Sequence, residues 1–339
     1  MTRFLLLLAE SGFIPDALIK IAARYISNKR ISKSNIDYNK PEIISALSKG
    51  VVAEKTSDAN KQHYEVPPEY FYHVLGTNLK YSCSLFDNVN SLDEAETSML
   101  ELYIERANIK DGHEILDLGC GWGSFSLYIA KKYPNTNITS VSNSSDQITH
   151  IKNEARKRGL PNITAYKMDV NSLELNTQFD RIISIEMFEH LRNYKLILSS
   201  LNNLLKPDGR LFIHIFCHKK LTYFYEMKNN FDWMTKYFFQ GGIMPSKDIF
   251  EYFDDELEII NQWDINGNHY SKTCKAWLNN HYINRKKILD VFQKHYDKPK
   301  IWFNRWRIFF LSCEAFFALN NGKEYFVSHY LLKKKSGHE

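Results

Sequence analysis

A glycine-rich turn between an apolar strand and a helix restricts the fold of this chain more than any other segment. Residues 117–123 have the sequence Asp-Leu-Gly-Cys-Gly-Trp-Gly. The run at 114–118 predicts a buried strand, and 124–132 predict a helix. Glycines at this spacing permit a tight turn and let the backbone approach a ligand closely. The segment therefore predicts an α/β fold with a ligand beyond the carboxyl end of this strand.

Short apolar runs and helical patterns alternate along the chain after this turn. Strands are predicted at 114–118, 137–141, 163–168, 181–185 and 210–216, and helices at 124–132, 146–158 and 194–205. Strands that alternate with helices favour a parallel sheet with helices on both faces. With two later strand candidates, the pattern predicts a doubly wound, mostly parallel, seven-stranded α/β sheet.

The segments on either side of this core have different patterns. The chain up to about Gly50 predicts helices, and the polar stretch 54–62 predicts a linker. After His218 the alternation stops, and an aromatic-rich stretch at 224–239 has helical spacing. The remaining predicted elements are strands at 256–263 and 325–331 and helices at 273–292 and 306–318.

These changes of pattern divide the chain into four predicted regions. They are an N-terminal helical region with a cofactor cover at 1–75, a cofactor-binding core at 76–217, a substrate-side helical insertion with one sheet strand at 218–320, and a last strand and tail at 321–339.

Composition and charge exclude several classes of protein. Hydrophobic residues make up 44% and charged residues 24%, which is typical of soluble globular domains. The net charge of +5 is not concentrated in a basic stripe, so we expect no nucleic-acid partner. The five cysteines form no CxxC pair, which predicts no metal site and reduced thiols. With no long apolar segment either, we expect a soluble, cytoplasmic protein.

The spacing of the glycine turn is GxGxG, with an acid two residues before the first glycine. Dinucleotide-binding turns prefer GxGxxG. The pattern instead resembles the first motif of class I S-adenosylmethionine-dependent methyltransferases. This resemblance implies S-adenosyl-L-methionine as the cofactor. It also implies that Asp117 helps to hold the methionine end and that Gly119, Gly121 and Gly123 bring the backbone against the cofactor.

The ends of the second and third predicted strands complete this candidate cofactor site. The second strand ends in Ser-Asn-Ser at 142–144, where these enzymes usually place an acid for the ribose hydroxyls. Ser142 and Gln147 would then make those bonds. The third strand ends at Asp169, beside Val170, where a carboxylate can accept from an adenine amino group. The alternative for Asp169 is a turn or helix cap.

Ser-Asn-Ser at 142–144 in place of the ribose acid, followed by Gln147, resembles the cyclopropane fatty acid synthase superfamily. Two upstream segments resemble the same superfamily: His-Tyr-Glu-Val-Pro at 63–67 and Lys-Tyr-Ser-Cys at 80–83. In that superfamily's cofactor-covering segment, Tyr81 and Ser82 would contact S-adenosylmethionine. Three further segments, 102–112, 217–219 and 320–325, resemble its coclaurine N-methyltransferase branch. The resemblance extends over nearly the whole chain, but it does not specify a substrate.

Two carboxylates and an imidazole follow the fourth predicted strand, at Glu186, Glu189 and His190. If a helical turn begins near Glu186, the three share one face. The alternative is a surface helix start, where acids suit the helix dipole. The resemblance implies that they match the catalytic glutamates and histidine of the coclaurine branch. Carboxylates can bind a protonated amine, and a histidine can remove its proton.

These observations leave three hypotheses for the function. The first is N-methylation of a small-molecule amine. The second is cyclopropane-type transfer to an unsaturated lipid chain, which implies lipid contact and a bicarbonate held partly by Cys83 and Glu189. The position of Glu186 is usually a small residue in that family, so the extra carboxylate favours the amine. The third is a catalytically idle binding protein. The oligomeric state is not predicted, and five aromatic residues are candidates for either the pocket wall or the core: Tyr81, Trp277, Trp302, Trp306 and Tyr325.

Overall fold

The computed structural model describes residues 2–37, 39–54, 66–227 and 232–335. Most of the predicted linker at 54–62 and the first three residues of the motif at 63–67 lie outside this part of the chain.

One seven-stranded sheet forms the centre of the protein. Its strands are β1 Glu114–Leu118, β2 Asn137–Ser142, β3 Ile163–Lys167, β4 Phe179–Ile185, β5 Leu205–His218, β8 Leu257–Ile265 and β9 Tyr325–Lys334. They lie in the order β3-β2-β1-β4-β5-β9-β8. Strands β1 to β5 pair in parallel, whereas β9 is antiparallel to both of its neighbours. The predicted doubly wound, mostly parallel sheet is confirmed.

Helices cover both faces of this sheet. In the described part of the chain they are α1 Thr2–Glu10, α2 Asp16–Asp37, α3 Lys40–Ala46, α4 Pro68–Val74, α5 Leu92–Arg106, α6 Ser124–Lys132, α7 Ser145–Arg158, α8 Tyr194–Leu204, α9 Gly267–Ile283, α10 Arg285–His295 and α11 Pro299–Phe317. Neighbouring residues of one strand belong to opposite cores, as Ile182 and Ile183 do. This alternation follows from the two-residue period of a strand, and it explains why the central strands β1 and β4 are buried along most of their length.

The strand order reverses at β1, which lies between β2 and β4. In a doubly wound sheet the crevice for a ligand opens at this point, beyond the carboxyl ends of the strands. The glycine turn leaves β1 here. Gly119 has a φ of +79°, and a Cβ on it would lie 2.7 Å from the Met187 side chain. Only glycine fits this backbone and this contact without strain.

Three predicted elements differ from the structure. The predicted helix at 273–292 is two helices, α9 and α10, which meet at Asn284. The stretch at 224–239 is not one helix, because Tyr223–Phe224 form strand β6, paired with strand β7 at Ile243–Met244. Strand β5 begins at Leu205, where it pairs with Phe179, rather than at Arg210. In each case tertiary contacts override the local pattern.

Candidate active site

A cleft opens at the reversal point of the sheet. Its wall is formed by Ala53, Glu54, Leu118, Gly119, Gly121, Val141, Ser142, Asn143, Gln147, Met168, Val170, Met187, His190 and Leu191. Most of these residues follow the carboxyl ends of β1 to β4, as expected for a ligand site in this fold. The side chain of Asn171 fixes the N-terminal part of the wall, since it accepts from the Ala53 N–H and donates to the Ala53 carbonyl, both at 3.0 Å.

The glycine turn contributes backbone to the cleft, but its acid faces elsewhere. Gly119 and Gly121 line the cleft, while Gly123 begins α6 with a φ of +79°. Asp117 is buried and accepts a hydrogen bond from the Ser126 hydroxyl at 2.5 Å. Burial raises the pKa of Asp117 to about 7. The structure therefore places Asp117 as a support beneath the turn and outside the cleft wall.

The predicted ribose and adenine residues lie at the ends of β2 and β3. The Ser142 hydroxyl donates to Gln147 Oε1 at 2.7 Å, and both residues line the cleft. Val170 also lines it, but Asp169 does not belong to the wall. Asp169 Oδ1 accepts from the Asn171 N–H at 2.8 Å and caps the short turn at Val170–Ser172. The cap geometry is the alternative that the sequence left open for this residue.

Tyr81 and Ser82 lie outside the cleft wall. The Tyr81 ring packs 5.0 Å from Phe71 and 5.4 Å from Trp277, measured between centroids. Ser82 is buried, and its hydroxyl accepts from the Lys80 ammonium. Of the candidate wall aromatics, Trp277, Trp306 and Tyr325 are fully buried in the core.

Glu186 is the most highly bonded of the three predicted catalytic residues. Its Oε1 accepts from the Cys83 backbone N–H at 2.9 Å and lies 3.1 Å from His214 Nε2. Its Oε2 accepts from the Tyr270 hydroxyl at 2.5 Å. Glu186 has a φ of +48°, and the helical turn begins only at Phe188. Because Glu186 has a left-handed backbone conformation, it is not part of this helical turn, and the predicted helical face shared with Glu189 and His190 does not form.

Glu189 and His190 continue the cluster towards the cleft. Glu189 is fully buried, its Oε1 accepts from the Phe216 N–H at 2.8 Å, and no described residue donates to its Oε2. Burial and the charge of Glu186 raise the pKa of Glu189 well above its usual range. His190 lines the cleft, and burial lowers its pKa to about 4. Of the three predicted catalytic residues, His190 is therefore the one whose neutral ring reaches the cleft wall.

Three partners of this cluster were not identified from the sequence: Lys80, His214 and Tyr270. Lys80 is fully buried, and burial lowers its pKa to about 8. His214 is also fully buried, in the middle of apolar strand β5. The sequence contained one indication for His214, which is a polar residue within an apolar strand. Because buried polar groups require hydrogen-bond partners, such a residue is expected to belong to a buried polar cluster. No comparable signal marks Tyr270.

The described residues show neither a metal cluster nor a membrane-spanning helix. They contain no group of three or more His, Cys, Asp or Glu side chains arranged to hold a metal ion. None of the helices in the same residues is both long and apolar enough to cross a membrane.

Comparisons with known proteins agree on one family. The chain matches the family model for mycolic acid cyclopropane synthetase over residues 52–325. (S)-coclaurine N-methyltransferase of Thalictrum flavum subsp. glaucum is 39% identical over 340 residues, covering 96% of this chain and 94% of that protein. Cyclopropane-fatty-acyl-phospholipid synthase of Escherichia coli (strain K12) is 29% identical over 240 residues, covering 70% of this chain and 60% of that protein.

A solved structure is similar along almost the whole chain. The crystal structure of coclaurine N-methyltransferase bound to N-methylheliamine and SAH has a TM-score of 0.91 and 36% identity. The match covers 97% of this chain and 99% of that one. The N-terminal helices and the late insertion are therefore shared with that protein, as well as the sheet.

Proposed function

This chain belongs to the mycolic acid cyclopropane synthetase family and is an S-adenosylmethionine-dependent methyltransferase, and from that premise we propose that its methyl acceptor is an amine nitrogen of a small molecule. The coclaurine branch predicted from the motifs is thereby confirmed. The proposed substrate class is supported by the coclaurine N-methyltransferases, whose similarity extends over nearly the whole chain. It is supported independently by the chemistry of the buried acid cluster.

The cleft has the features that S-adenosylmethionine requires. Gly119 and Gly121 present backbone without side chains at the reversal point of the sheet, and Ser142 and Gln147 supply polar atoms at the end of β2. These four residues and Val170 would hold the cofactor. When bound, it supplies an electrophilic methyl group on a sulfonium. Asp117, buried below the turn, would support the glycine backbone rather than touch the cofactor.

The observation that carries the proposal is a second buried carboxylate beside the first. Glu186 and Glu189 are close enough for the charge of one to raise the pKa of the other. Two ionised carboxylates in a buried site repel each other, and a cation between them relieves that repulsion. An alkyl ammonium with a pKa of about 10 is such a cation at neutral pH. The unbonded Oε2 of Glu189 is an open acceptor for its N–H.

The alternative of methyl transfer to a lipid requires a bound bicarbonate near Glu186 and Glu189. The resemblance to cyclopropane synthases implies a bicarbonate held partly by Cys83 and Glu189. In this chain the Cys83 backbone N–H already donates to Glu186 Oε1 at 2.9 Å. The Glu186 carboxylate therefore occupies an N–H donor beside the expected bicarbonate position, which supports an amine acceptor over an alkene.

The amine must lose its proton before its lone pair can attack. His190 is the proposed base because its ring lines the cofactor cleft and is neutral, which is the form that can accept a proton. Burial lowers its pKa, and the charge of Glu186 opposes that fall and so favours the protonated imidazole that forms. Glu186 is proposed to bind and orient the ammonium, held in place by Cys83 and Tyr270. Holding the nitrogen in line with the methyl group supplies much of the remaining acceleration.

The test is methyl transfer from labelled S-adenosylmethionine to two panels of acceptors, small secondary amines and unsaturated phospholipids in vesicles. The proposal predicts label in the amines. Label in the phospholipids with none in the amines would overturn it and favour the cyclopropane alternative. Binding of the cofactor with no transfer to either panel would favour an idle binding protein. Ser200→Ala, at a partly exposed position of α8 outside the cleft wall, is a control variant that should methylate like the wild type.

The cellular location is a separate proposal. All five cysteines are free, and four of them are buried. Free thiols are typical of reducing compartments, and on that basis we propose the cytoplasm. Fractionation of cells that express the tagged chain tests this, and recovery with a membrane or secreted fraction would contradict it.

A further inference from the structure

A continuous line of buried side chains runs from Glu186 away from the cleft. His214 Nε2 lies 3.1 Å from Glu186 Oε1. His329 Nε2 lies 2.9 Å from His214 Nδ1, and the two histidines face each other across the β5–β9 pair. Arg106 Nη1, at the end of α5, lies 2.8 Å from His329 Nδ1. Both histidines are fully buried, while Arg106 is only partly buried.

The direction of every hydrogen bond in this line follows from Arg106. A guanidinium has donors and no acceptor, so His329 Nδ1 must accept. Burial lowers the pKa of both histidines well below the usual value, and each neutral ring carries one proton. The proton of His329 is then on Nε2 and is donated to His214 Nδ1. The proton of His214 is in turn on Nε2 and is donated to Glu186.

Tyr103 lies against the same acceptor, so the single lone pair of His214 Nδ1 faces both its hydroxyl and the His329 N–H. Its hydroxyl lies 2.8 Å from His214 Nδ1. Because a hydroxyl both donates and accepts, Tyr103 does not by itself decide which histidine nitrogen is protonated. The fixed donor at the end of the line is Arg106, whose guanidinium also lies over the Trp263 ring, 5.0 Å from the centroid.

We propose that Arg106 is a positioning residue for methyl transfer: through His329 and His214 it keeps an N–H donor on Glu186, so that this carboxylate stays ionised and oriented for the substrate amine. The proposal rests on the amine acceptor proposed above. No described contact joins Arg106 to the cleft, and its hydrogen bonds lead towards Glu186 through the two histidines.

Glu186 needs such a donor because its burial acts against its charge. Burial raises its pKa, and the Lys80 charge, the Cys83 N–H and the Tyr270 hydroxyl oppose that rise. If the His214 ring had its proton on Nδ1 instead, the lone pair of Nε2 would face Oε1 and would favour the protonated acid. The charged and titratable groups around Glu186 and the two histidines are Lys80, Cys83, Tyr103, Arg106, Glu189, His190, Tyr270 and Cys274.

The test compares variants that remove a donor with variants that keep it. Arg106→Met removes the donor, and Arg106→Lys keeps one. His329→Phe interrupts the line, whereas His329→Gln keeps an acceptor for Arg106 and an N–H for His214. The first measurement is the protonated nitrogen of each ring, from long-range nitrogen–proton NMR of protein labelled at histidine. The second is the pH profile of kcat/KM for a secondary amine.

In the wild type we expect His214 and His329 to be protonated at Nε2. In Arg106→Met, we expect His329 no longer to be protonated at Nε2 alone. We expect the acidic limb of the kcat/KM profile to shift upwards by about one pH unit, which is a tenfold loss of kcat/KM on that limb. His329→Phe should cause the same shift, while Arg106→Lys and His329→Gln should restore the wild-type profile. Titration of the amine itself is common to all variants, so a difference between them reports on the enzyme.

Two results would overturn the proposal. One is a wild-type His214 protonated at Nδ1, and the other is an acidic limb that Arg106→Met does not move although the variant folds and binds S-adenosylhomocysteine. The NMR measurement needs no turnover, so it tests the line of hydrogen bonds even if no amine is methylated. Failure of the proposed function and failure of the positioning role are therefore distinguishable.

Discussion

Burial and the charge of Glu186 together raise the pKa of Glu189, whose carboxyl has a hydrogen-bond partner at one oxygen only among the described residues. The two residues are three positions apart, yet the left-handed backbone at Glu186 separates them from any common helix. They behave as one acid pair in which the charge of one member disfavours the charge of the other. An incoming ammonium changes that balance, and this links substrate binding to the ionisation of the site.

We expect Glu189→Gln to lower kcat about 100-fold with little change in cofactor affinity, because the amide cannot ionise when the ammonium arrives. The measurements are methyl transfer at saturating S-adenosylmethionine and the Kd for S-adenosylhomocysteine by calorimetry. His190→Ala should give the same separation of the two quantities. A comparable loss of cofactor affinity in either variant would mean that the cluster is structural.

The stability of the wild type should decline relative to Glu189→Gln as the pH rises. The folded pKa of Glu189 is raised well above the 4.5 of an ordinary glutamate. Its contribution to stability is therefore fully present below about 4.5 and is lost as the pH rises through the folded pKa. Tm measured for both proteins between pH 4.5 and 8 tests this prediction. A difference in Tm that stays constant with pH would contradict it, and the exposed Glu174→Gln is the matched control.

Gly119→Ala should weaken cofactor binding through the backbone. The substitution places a Cβ at a φ of +79° and 2.7 Å from Met187. Left-handed backbone alone costs about 1–2 kcal/mol for a residue with a Cβ. The control is Gly159→Ala, which has a φ of +66° at the end of α7 but has no atom within 4 Å of the added Cβ. Both variants should lose stability, but only Gly119→Ala should raise the Kd for S-adenosylhomocysteine.

Asp117→Ala should weaken cofactor binding before it affects turnover at saturating cofactor. Its carboxylate holds Ser126 at the start of α6, so its loss loosens the turn that presents Gly119 and Gly121. Hydrogen bonds to charged groups contribute about 1.5–3 kcal/mol, so we expect the Kd to rise about tenfold or more. Ser126→Ala should give a smaller change in the same direction. Reduced kcat with an unchanged Kd would instead place Asp117 in the chemistry.

Much of the fold could be predicted because local patterns and the final structure agree. The strand at 114–118 and the helix at 124–132 have the predicted bounds, since an apolar run, three glycines and an amphipathic run follow one another. Five of the predicted cofactor residues line the cleft: Gly119, Gly121, Ser142, Gln147 and Val170. They follow strand ends, and the ends of parallel strands meet at one edge of the sheet.

The bonds around Glu186 could not be predicted in this way. Its donors Cys83, His214 and Tyr270 are 103, 28 and 84 positions away along the chain. These groups meet at one carboxylate only because strand β5, helix α9 and the segment that precedes α5 pack together. The same holds for Asp169 and Asp117, which were predicted to contact the cofactor. In the structure Asp169 accepts a hydrogen bond from the Asn171 N–H, and Asp117 accepts one from the Ser126 hydroxyl.

The N-terminal wall of the cleft has a consequence for any attempt to dissect this enzyme. Ala53 and Glu54 precede every strand of the sheet, and Ala53 is fixed to Asn171 by two hydrogen bonds. A fragment that starts at Val66 would retain all seven strands and the three proposed catalytic residues. It would nevertheless leave one side of the cleft open to solvent, and we expect water there to weaken charge interactions in the site. The sheet and the reactive groups alone therefore do not enclose the cleft, because a segment that precedes the first strand completes its wall.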